Sequence, residues 1–141
     1  MAPTEIWLRL MKVSNLYGDN IVMAARILRA ASVPDREALY ACGLSAAQAK
    51  QFLSVSQREL ESTLLWLEQP GRHLLLADSP YYPPRLRAIA DYPGALFVCG
   101  DLAVLTSLQL AVVGSRSHSW YGARWGKQFS EDLAHLGITV T

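Results

Sequence analysis

The chain has 141 residues, of which 51% are hydrophobic and 18% are charged, and its formal net charge is +1. These values are typical of a globular protein with one core or two small ones, and they exclude a disordered or fibrous chain. Because the net charge is close to zero, no overall field draws the chain to nucleic acid or to an anionic membrane. Any anion-binding site must therefore be local.

The cysteines, the histidines and the N-terminus exclude further classes. Cys42 and Cys99 lack the paired spacing of a zinc or redox site, so we interpret them as reduced packing thiols. The three histidines show no metal-ligand spacing either. Glu5 and Arg9 interrupt the first apolar residues, and no apolar run approaches the roughly 20 residues of a membrane span. We expect a cytoplasmic protein with no membrane partner, no metal and no cofactor.

Residues 1–70 predict a small all-helical domain of four or five short helices. Thr4 is placed to cap the first helix, and Gly43 supplies a left-handed stop after a short helix that begins near Pro34. The domain carries seven basic and seven acidic side chains and is therefore electroneutral. Buried positions are predicted from the 3–4 spacing of apolar residues, and capping boxes from a serine followed three residues later by Gln or Glu. The buried set is Trp7, Leu10, Met11, Ile21, Ala24, Ala25, Leu28, Ala31, Leu60, Leu64 and Leu67, and the boxes are Ser45 with Gln48 and Ser56 with Glu59.

Residues 71–107 are predicted to be a linker with the first short strands. A strand is expected from His73 to Ala77 and another from Leu96 to Cys99. Between them, Tyr81-Tyr82-Pro83-Pro84 is predicted to be irregular, because two prolines remove backbone donors and restrict φ.

Residues 108–141 predict the beginning of a second domain. Leu108–Val113 is almost continuously apolar, as a parallel strand covered on both faces tends to be. A helix from about Trp120 to Leu136, which Ser119 is placed to cap, and a strand at Ile138–Thr141 follow. Trp125, Phe129, Leu133 and Leu136 are expected on the buried side of that helix. The whole chain is thus predicted to be α/β: a helical bundle followed by the incomplete start of a Rossmann-like parallel sheet.

The turn between that strand and helix is the candidate functional site. Main-chain N–H groups and the helix dipole at such a junction favour an anion, commonly phosphate. A glycine allows close backbone approach, hydroxyl groups donate hydrogen bonds, and a guanidinium matches a phosphate. The predicted phosphate-binding residues are Gly114, Ser115, Arg116, Ser117 and Ser119.

The basic residues of the chain concentrate in the same segment, since no acidic residue stands between Arg116 and Lys127. The predicted auxiliary contacts are His118, Trp120, Tyr121, Arg124 and Lys127, of which the two aromatic side chains are suited to stack on unpaired bases. The turn is neither a Walker A loop nor a Gly-x-Gly-x-x-Gly fingerprint. From geometry alone, phosphate binding and a plain tight connection are equally open.

Four sequence blocks resemble the DNA-processing protein A (DprA/Smf) family in their order and spacing, and the first helix resembles enterobacterial members. The blocks are Tyr82-Pro83-Pro84-x-Leu86, Asp91-Tyr92-Pro93-Gly94-Ala95-Leu96-Phe97-Val98-x-Gly100, Ala111-Val112-Val113-Gly114-Ser115-Arg116 and Tyr121-Gly122.

The resemblance implies a cytoplasmic bacterial protein that binds single-stranded DNA and helps to load the RecA recombinase in natural transformation. It also implies a sterile-alpha-motif-like N-terminal domain and a Rossmann domain that forms a homodimer in full-length members. No catalytic residue is implied, because members are not established enzymes. Gly114, Ser115 and Arg116 match the turn that lies in the family's DNA-phosphate pocket. The family's next segment, Ser-Gly-x-Ala-x-Gly-Ile-Asp, does not occur here, so we expect weak DNA binding by this chain alone.

Two other functions stay open at this point. A nucleotide-processing hydrolase of the lysine-decarboxylase-like group would share the Rossmann-like sheet, but its Pro-Gly-Gly-x-Gly-Thr loop does not occur in this sequence. A helix–hairpin–helix module would hold phosphate, or contact a protein, through Leu16-Tyr17-Gly18 and Gly43-Leu44-Ser45. Asp19 and the neutrality of the bundle favour a packing role for the first turn.

Overall fold

The computed structural model describes residues 1–141, which divide into two compact units, Met1–Gly100 and Asp101–Thr141. The first unit contains six helices and an antiparallel hairpin, and the second contains a 3-10 turn, two short parallel strands and a long helix. None of the helices combines the length and the apolar character that a membrane crossing requires.

Five helices form the N-terminal bundle: α1 (Pro3–Leu10), α2 (Gly18–Ala30), α3 (Arg36–Ala41), α4 (Ala46–Ser54) and α5 (Gln57–Leu67). The two predicted capping boxes are confirmed at the starts of α4 and α5. The predicted cap at Thr4 is wrong, because α1 begins two residues earlier than this cap implies, with Pro3 in its first turn and Ala2 as its N-cap. Gly43 has φ +93°, the left-handed conformation expected after α3.

The bundle core lies between α1, α2, α3 and α4. Its members are apolar side chains that are almost fully buried, and the largest of them are Trp7, Leu10, Ile21, Leu28, Leu39 and Phe52. Arg9 holds α1 against the end of α4, because its guanidinium donates to the carbonyls of Phe52 and Val55 and pairs with Glu5 at 3.0 Å. The predicted burial of Leu64 is wrong, since this residue on α5 is 38% exposed.

The hairpin consists of β1 (Arg72–Leu76) and β2 (Ala95–Cys99), with Arg72 opposite Cys99 and Leu76 opposite Ala95. It packs on α5, where the ring of Trp66 meets Phe97 edge to face at 5.7 Å and the guanidinium of Arg72 lies over Trp66 at 4.7 Å. Both strands were expected from the sequence, within a residue at their ends.

The connection between the two strands is a packed structure and not a loose linker. Tyr82 is completely buried, and its hydroxyl donates to the carbonyl of Pro93 at 2.8 Å. Arg87 lies over the Tyr82 ring and donates to the carbonyl of Ala77 at 2.9 Å. The prediction of wholly irregular backbone is wrong at Pro84, which begins the short helix α6 (Pro84–Arg87), because proline is tolerated at a first helical position.

The same connection is fastened to the start of α2. The Gly18 N–H donates to the carbonyl of Tyr92 at 2.8 Å, and the Tyr92 hydroxyl donates to the Asp19 carboxylate at 2.8 Å. Gly94 lies so close to Ile21 that a Cβ built on it would approach that side chain to 2.5 Å. Residues 71–100 therefore fold together with the helices in the first unit.

The second unit follows the predicted order of strand, turn, helix and strand. A 3-10 turn (Leu102–Thr106) precedes β3 (Gln109–Leu110), and α7 (Trp120–His135) leads to β4 (Thr139–Val140), which pairs with β3 in parallel. The regular strand is shorter than the predicted Leu108–Val113, although the Val112 N–H still donates to the Thr141 carbonyl at 2.7 Å.

The burial predicted for this unit is largely wrong. Val113 is 90% exposed and Leu108 is 66% exposed, because a sheet of two strands with one helix cannot cover both faces of β3. On α7 only Leu133 is buried. The other side chains expected on its buried face are exposed, namely Trp125, Phe129 and Leu136.

Candidate nucleic-acid interface

The loop from Val113 to Ser119 leads from the end of the parallel strand pair to the first turn of α7. Ser119 is the N-cap of α7, as predicted, and its Oγ accepts a hydrogen bond from the Gly122 N–H at 3.0 Å. The N–H groups of Trp120 and Tyr121 have no acceptor within the chain. Two main-chain donors therefore remain available at the positive end of a helix of 16 residues.

Two small residues shape the loop before α7. Ser115 turns the chain locally, because its Oγ accepts a hydrogen bond from the Ser117 N–H at 3.1 Å. The proton of the Ser115 hydroxyl is still available to a ligand. Gly114 has no atom within 4 Å of the position that a Cβ would take. Nothing inside the chain therefore requires glycine there.

Arg116 is exposed and takes part in none of the four salt bridges of the chain. It also makes no side-chain hydrogen bond, in contrast to Arg9, Arg29 and Arg87, whose guanidinium groups are engaged within the first unit. No acidic residue stands between Asp101 and Glu131 along the chain. The Arg116 charge is therefore not neutralised by any partner within the protein.

The auxiliary residues are also exposed, but they are not equivalent. Arg124 lies over the Trp120 ring with its guanidinium carbon 5.5 Å from the ring centroid. Tyr121 meets Trp125 edge to face at 6.2 Å. Lys127 approaches Glu131 to 3.9 Å in an exposed pair, so part of its charge is compensated, and His118 makes no side-chain hydrogen bond. The pairing of Trp120 with Arg124 was not foreseen, although their spacing of four residues on a helix signals it.

In both turns that would serve a helix–hairpin–helix module, main-chain donors already have acceptors within the chain, one donor in the first turn and three in the second. The Gly18 N–H donates to Tyr92, and a Cβ on Gly18 would lie within 2.2 Å of the Ala90 carbonyl oxygen. In the second turn, the N–H groups at 43, 44 and 45 donate to Tyr40, Leu39 and the Gln48 side chain, respectively. A phosphate would have to displace these partners, which argues against a DNA-binding role for either turn.

The groups with shifted pKa values lie outside the loop. Burial raises the pKa of the Tyr92 phenol, and the neighbouring Asp19 carboxylate raises it further. Burial likewise raises the pKa of Tyr82 and of the Cys42 thiol. No group of three or more His, Cys, Asp or Glu side chains is arranged to hold a metal ion. The exposed guanidinium of Arg116 and the N–H groups at the start of α7 are chemically suited to an anion.

Comparison with known proteins places both parts of the chain in one family. Residues 1–65 match the family model described as SMF/DprA SAM domain, and residues 73–141 match the one described as DNA recombination-mediator protein A. Protein Smf of Escherichia coli (strain K12) is 56% identical over all 141 residues, and the chain spans 38% of the length of that protein. The two matches leave only residues 66–72 uncovered. The chain therefore belongs to the DprA/Smf family and corresponds to its N-terminal part.

Proposed function

We propose that the chain binds the phosphate backbone of single-stranded DNA through the loop Gly114–Ser119 and the first turn of α7. The observation that carries this proposal is an Arg116 guanidinium with no partner within the chain. It stands in the same short segment as main-chain N–H groups that lack acceptors. Arginine and a helix N-terminus are two recurrent means of binding phosphate, and here they coincide in an acid-free stretch.

The contacts available in this loop determine the kind of binding. Phosphate contacts carry no information about base identity, so we expect little sequence preference. The absence of a Walker A or dinucleotide fingerprint from the sequence disfavours a mononucleotide or dinucleotide ligand. The family description of a recombination mediator supports a polynucleotide ligand. For full-length members of the family that contain these residues, we propose a non-enzymatic cytoplasmic role in which a homodimer on single-stranded DNA helps to load RecA.

A salt titration of Arg116→Ala tests the proposal. Each phosphate contact with single-stranded DNA contributes about 0.7 to the slope of log affinity against log salt concentration. Removing the Arg116 contact is therefore expected to weaken binding of an oligothymidylate and to flatten this slope by about 0.7. The measurement is fluorescence anisotropy of a labelled oligonucleotide between about 50 and 200 mM salt, the range over which phosphate-dependent binding changes most.

Arg58→Ala is the matched control, because Arg58 is an exposed arginine on α5 with no ion pair. Its slope should equal that of the wild type. Identical salt slopes for the Arg116 variant and the wild type would contradict the assignment of Arg116. A wild-type chain that fails to bind single-stranded DNA even at low salt would contradict DNA binding by this chain.

A further inference from the structure

Trp120 is the first residue of α7 and one of the most exposed large apolar side chains of the protein. Its side chain is 75% exposed, and its main-chain N–H is one of the two donors without an acceptor at the helix start. An indole in water leaves a large apolar area hydrated, which is unfavourable unless a ligand covers it. Trp7 in the first unit, by contrast, is fully buried, so its indole is removed from water by the protein itself.

The guanidinium of Arg124 lies over the Trp120 ring. The two residues are four apart on α7, and the guanidinium carbon of Arg124 lies over the indole at 5.5 Å from its centroid. A guanidinium covers one face of an aromatic ring, and the exposure of Trp120 leaves the other face accessible. One face of the indole is thus covered by a guanidinium, and the other face can stack on a flat ligand.

The charge around this indole selects the kind of ligand. Arg116 and Arg124 are the nearest charged residues on either side of Trp120 in the sequence, and the first acid after it is Glu131. A flat ligand with an attached anion fits this setting, because the anion reaches the Trp120 N–H and Arg116 while the flat part reaches the ring. An unpaired nucleobase attached to its phosphate is such a ligand, whereas a base inside a duplex is already stacked on both faces.

We infer that Trp120, with the guanidinium of Arg124 over one face of its ring, stacks on an unpaired base next to the phosphate held by the Gly114–Ser119 loop. This inference rests on the proposed function and deepens it by naming the residue that distinguishes single strands from duplex. The backbone contacts supply affinity for any phosphate chain. The stack adds affinity only where a base is present and unpaired.

Comparison of a base-containing oligonucleotide with an abasic one tests the inference. The wild-type chain, Trp120→Ala and Trp120→Phe are titrated with oligothymidylate and with an abasic oligodeoxyribose phosphate of equal length. Base–aromatic stacking of the usual strength corresponds to a loss of about 5- to 150-fold on alanine substitution. We expect Trp120→Ala to lose this factor toward oligothymidylate and nothing toward the abasic chain, with an unchanged salt slope. Trp120→Phe should retain most of the affinity, because it keeps an aromatic face.

Tyr81→Ala is the matched control, since Tyr81 is a 66% exposed aromatic residue of the first unit with no side-chain hydrogen bond. It should bind both ligands like the wild type. Equal losses of Trp120→Ala toward both ligands, or no loss toward either, would overturn the stacking role. In both cases backbone binding would stand if Arg116→Ala still flattened the salt slope. A wild type that binds neither ligand would overturn the stacking role and the proposed function together.

Discussion

Replacement of Gly18 by alanine probes the junction that joins the start of α2 to the segment before β2. Gly18 has φ +60°, and a Cβ there would lie 2.2 Å from the Ala90 carbonyl oxygen, which belongs to the main chain. An L-residue in the left-handed region costs about 1–2 kcal/mol. The carbonyl of Ala90 must also move, and this movement opposes the hydrogen bond from the Gly18 N–H to Tyr92, worth about 0.5–1.5 kcal/mol net.

Further cost arises at the Tyr92 side chain. Its hydroxyl donates to the Asp19 carboxylate, and a hydrogen bond to a charged group contributes about 1.5–3 kcal/mol. Asp19 is exposed, so the lower end of that range applies. Gly18→Ala is therefore expected to reduce the free energy of unfolding by about 3–5 kcal/mol, the sum of the strain and the two weakened hydrogen bonds.

Gly43→Ala is the matched control, because Gly43 also has positive φ (+93°) but has no atom within 4 Å of its Cβ position. It should cost only the conformational strain of about 1–2 kcal/mol. Urea unfolding followed by far-UV circular dichroism gives both values. If the two substitutions cost the same, the contact between Gly18 and residues 90–92 contributes nothing to stability and the reasoning fails.

Two further predictions concern Glu59 and Gly114. Hydrogen bonds from the Ser56 N–H and hydroxyl hold the pKa of Glu59 below its ordinary value of 4.5. The ionised Glu59 carboxylate therefore stabilises the fold above pH 4.5, and this stabilisation is lost as the pH falls through the lowered pKa. Glu59→Gln should therefore flatten the dependence of the unfolding free energy on pH below about 4.5. The same pH dependence in this variant and in the wild type would contradict the prediction. Gly114→Ala should leave the melting temperature unchanged, because its surroundings are open, yet weaken single-stranded DNA binding, because a methyl group obstructs the approach of a phosphate. Unchanged affinity in anisotropy titrations would remove Gly114 from the site.

Local signals in the sequence predicted the elements of the bundle and the order of the second unit. The capping boxes at Ser45 and Ser56, the left-handed glycine at position 43 and the cap at Ser119 all act within a few residues. Such interactions depend on short-range geometry, which the order of residues already contains. The one cap that failed, Thr4, was displaced by Pro3, because proline favours the first turn of a helix.

The candidate loop was predictable for the same reason. A glycine and serines between an apolar strand and a helix specify a tight connection with exposed donors, and the structure has the cap at Ser119 and the exposed Arg116. The stack of Arg124 on Trp120 follows from helical spacing once the start of α7 is known. The open face of the Trp120 indole is visible only in the structure, because it depends on which segments of the chain fail to cover the ring.

The tertiary structure decided what depends on residues far apart in the chain. Tyr82 and Tyr92 appear in the sequence as members of a proline-rich linker, yet they are buried, and Tyr92 is bonded to Asp19, which lies 73 residues away. The burial predicted for Leu108–Val113 depends on how many neighbours a strand acquires, which its own composition does not determine. By itself the sequence determined the helices, their caps and the chemistry of the loop, because these arise from near neighbours. Which side chains are buried, and that the Gly18 N–H bonds to Tyr92, depended on the tertiary structure. These contacts form between segments that are far apart in the chain, so neither segment determines them alone.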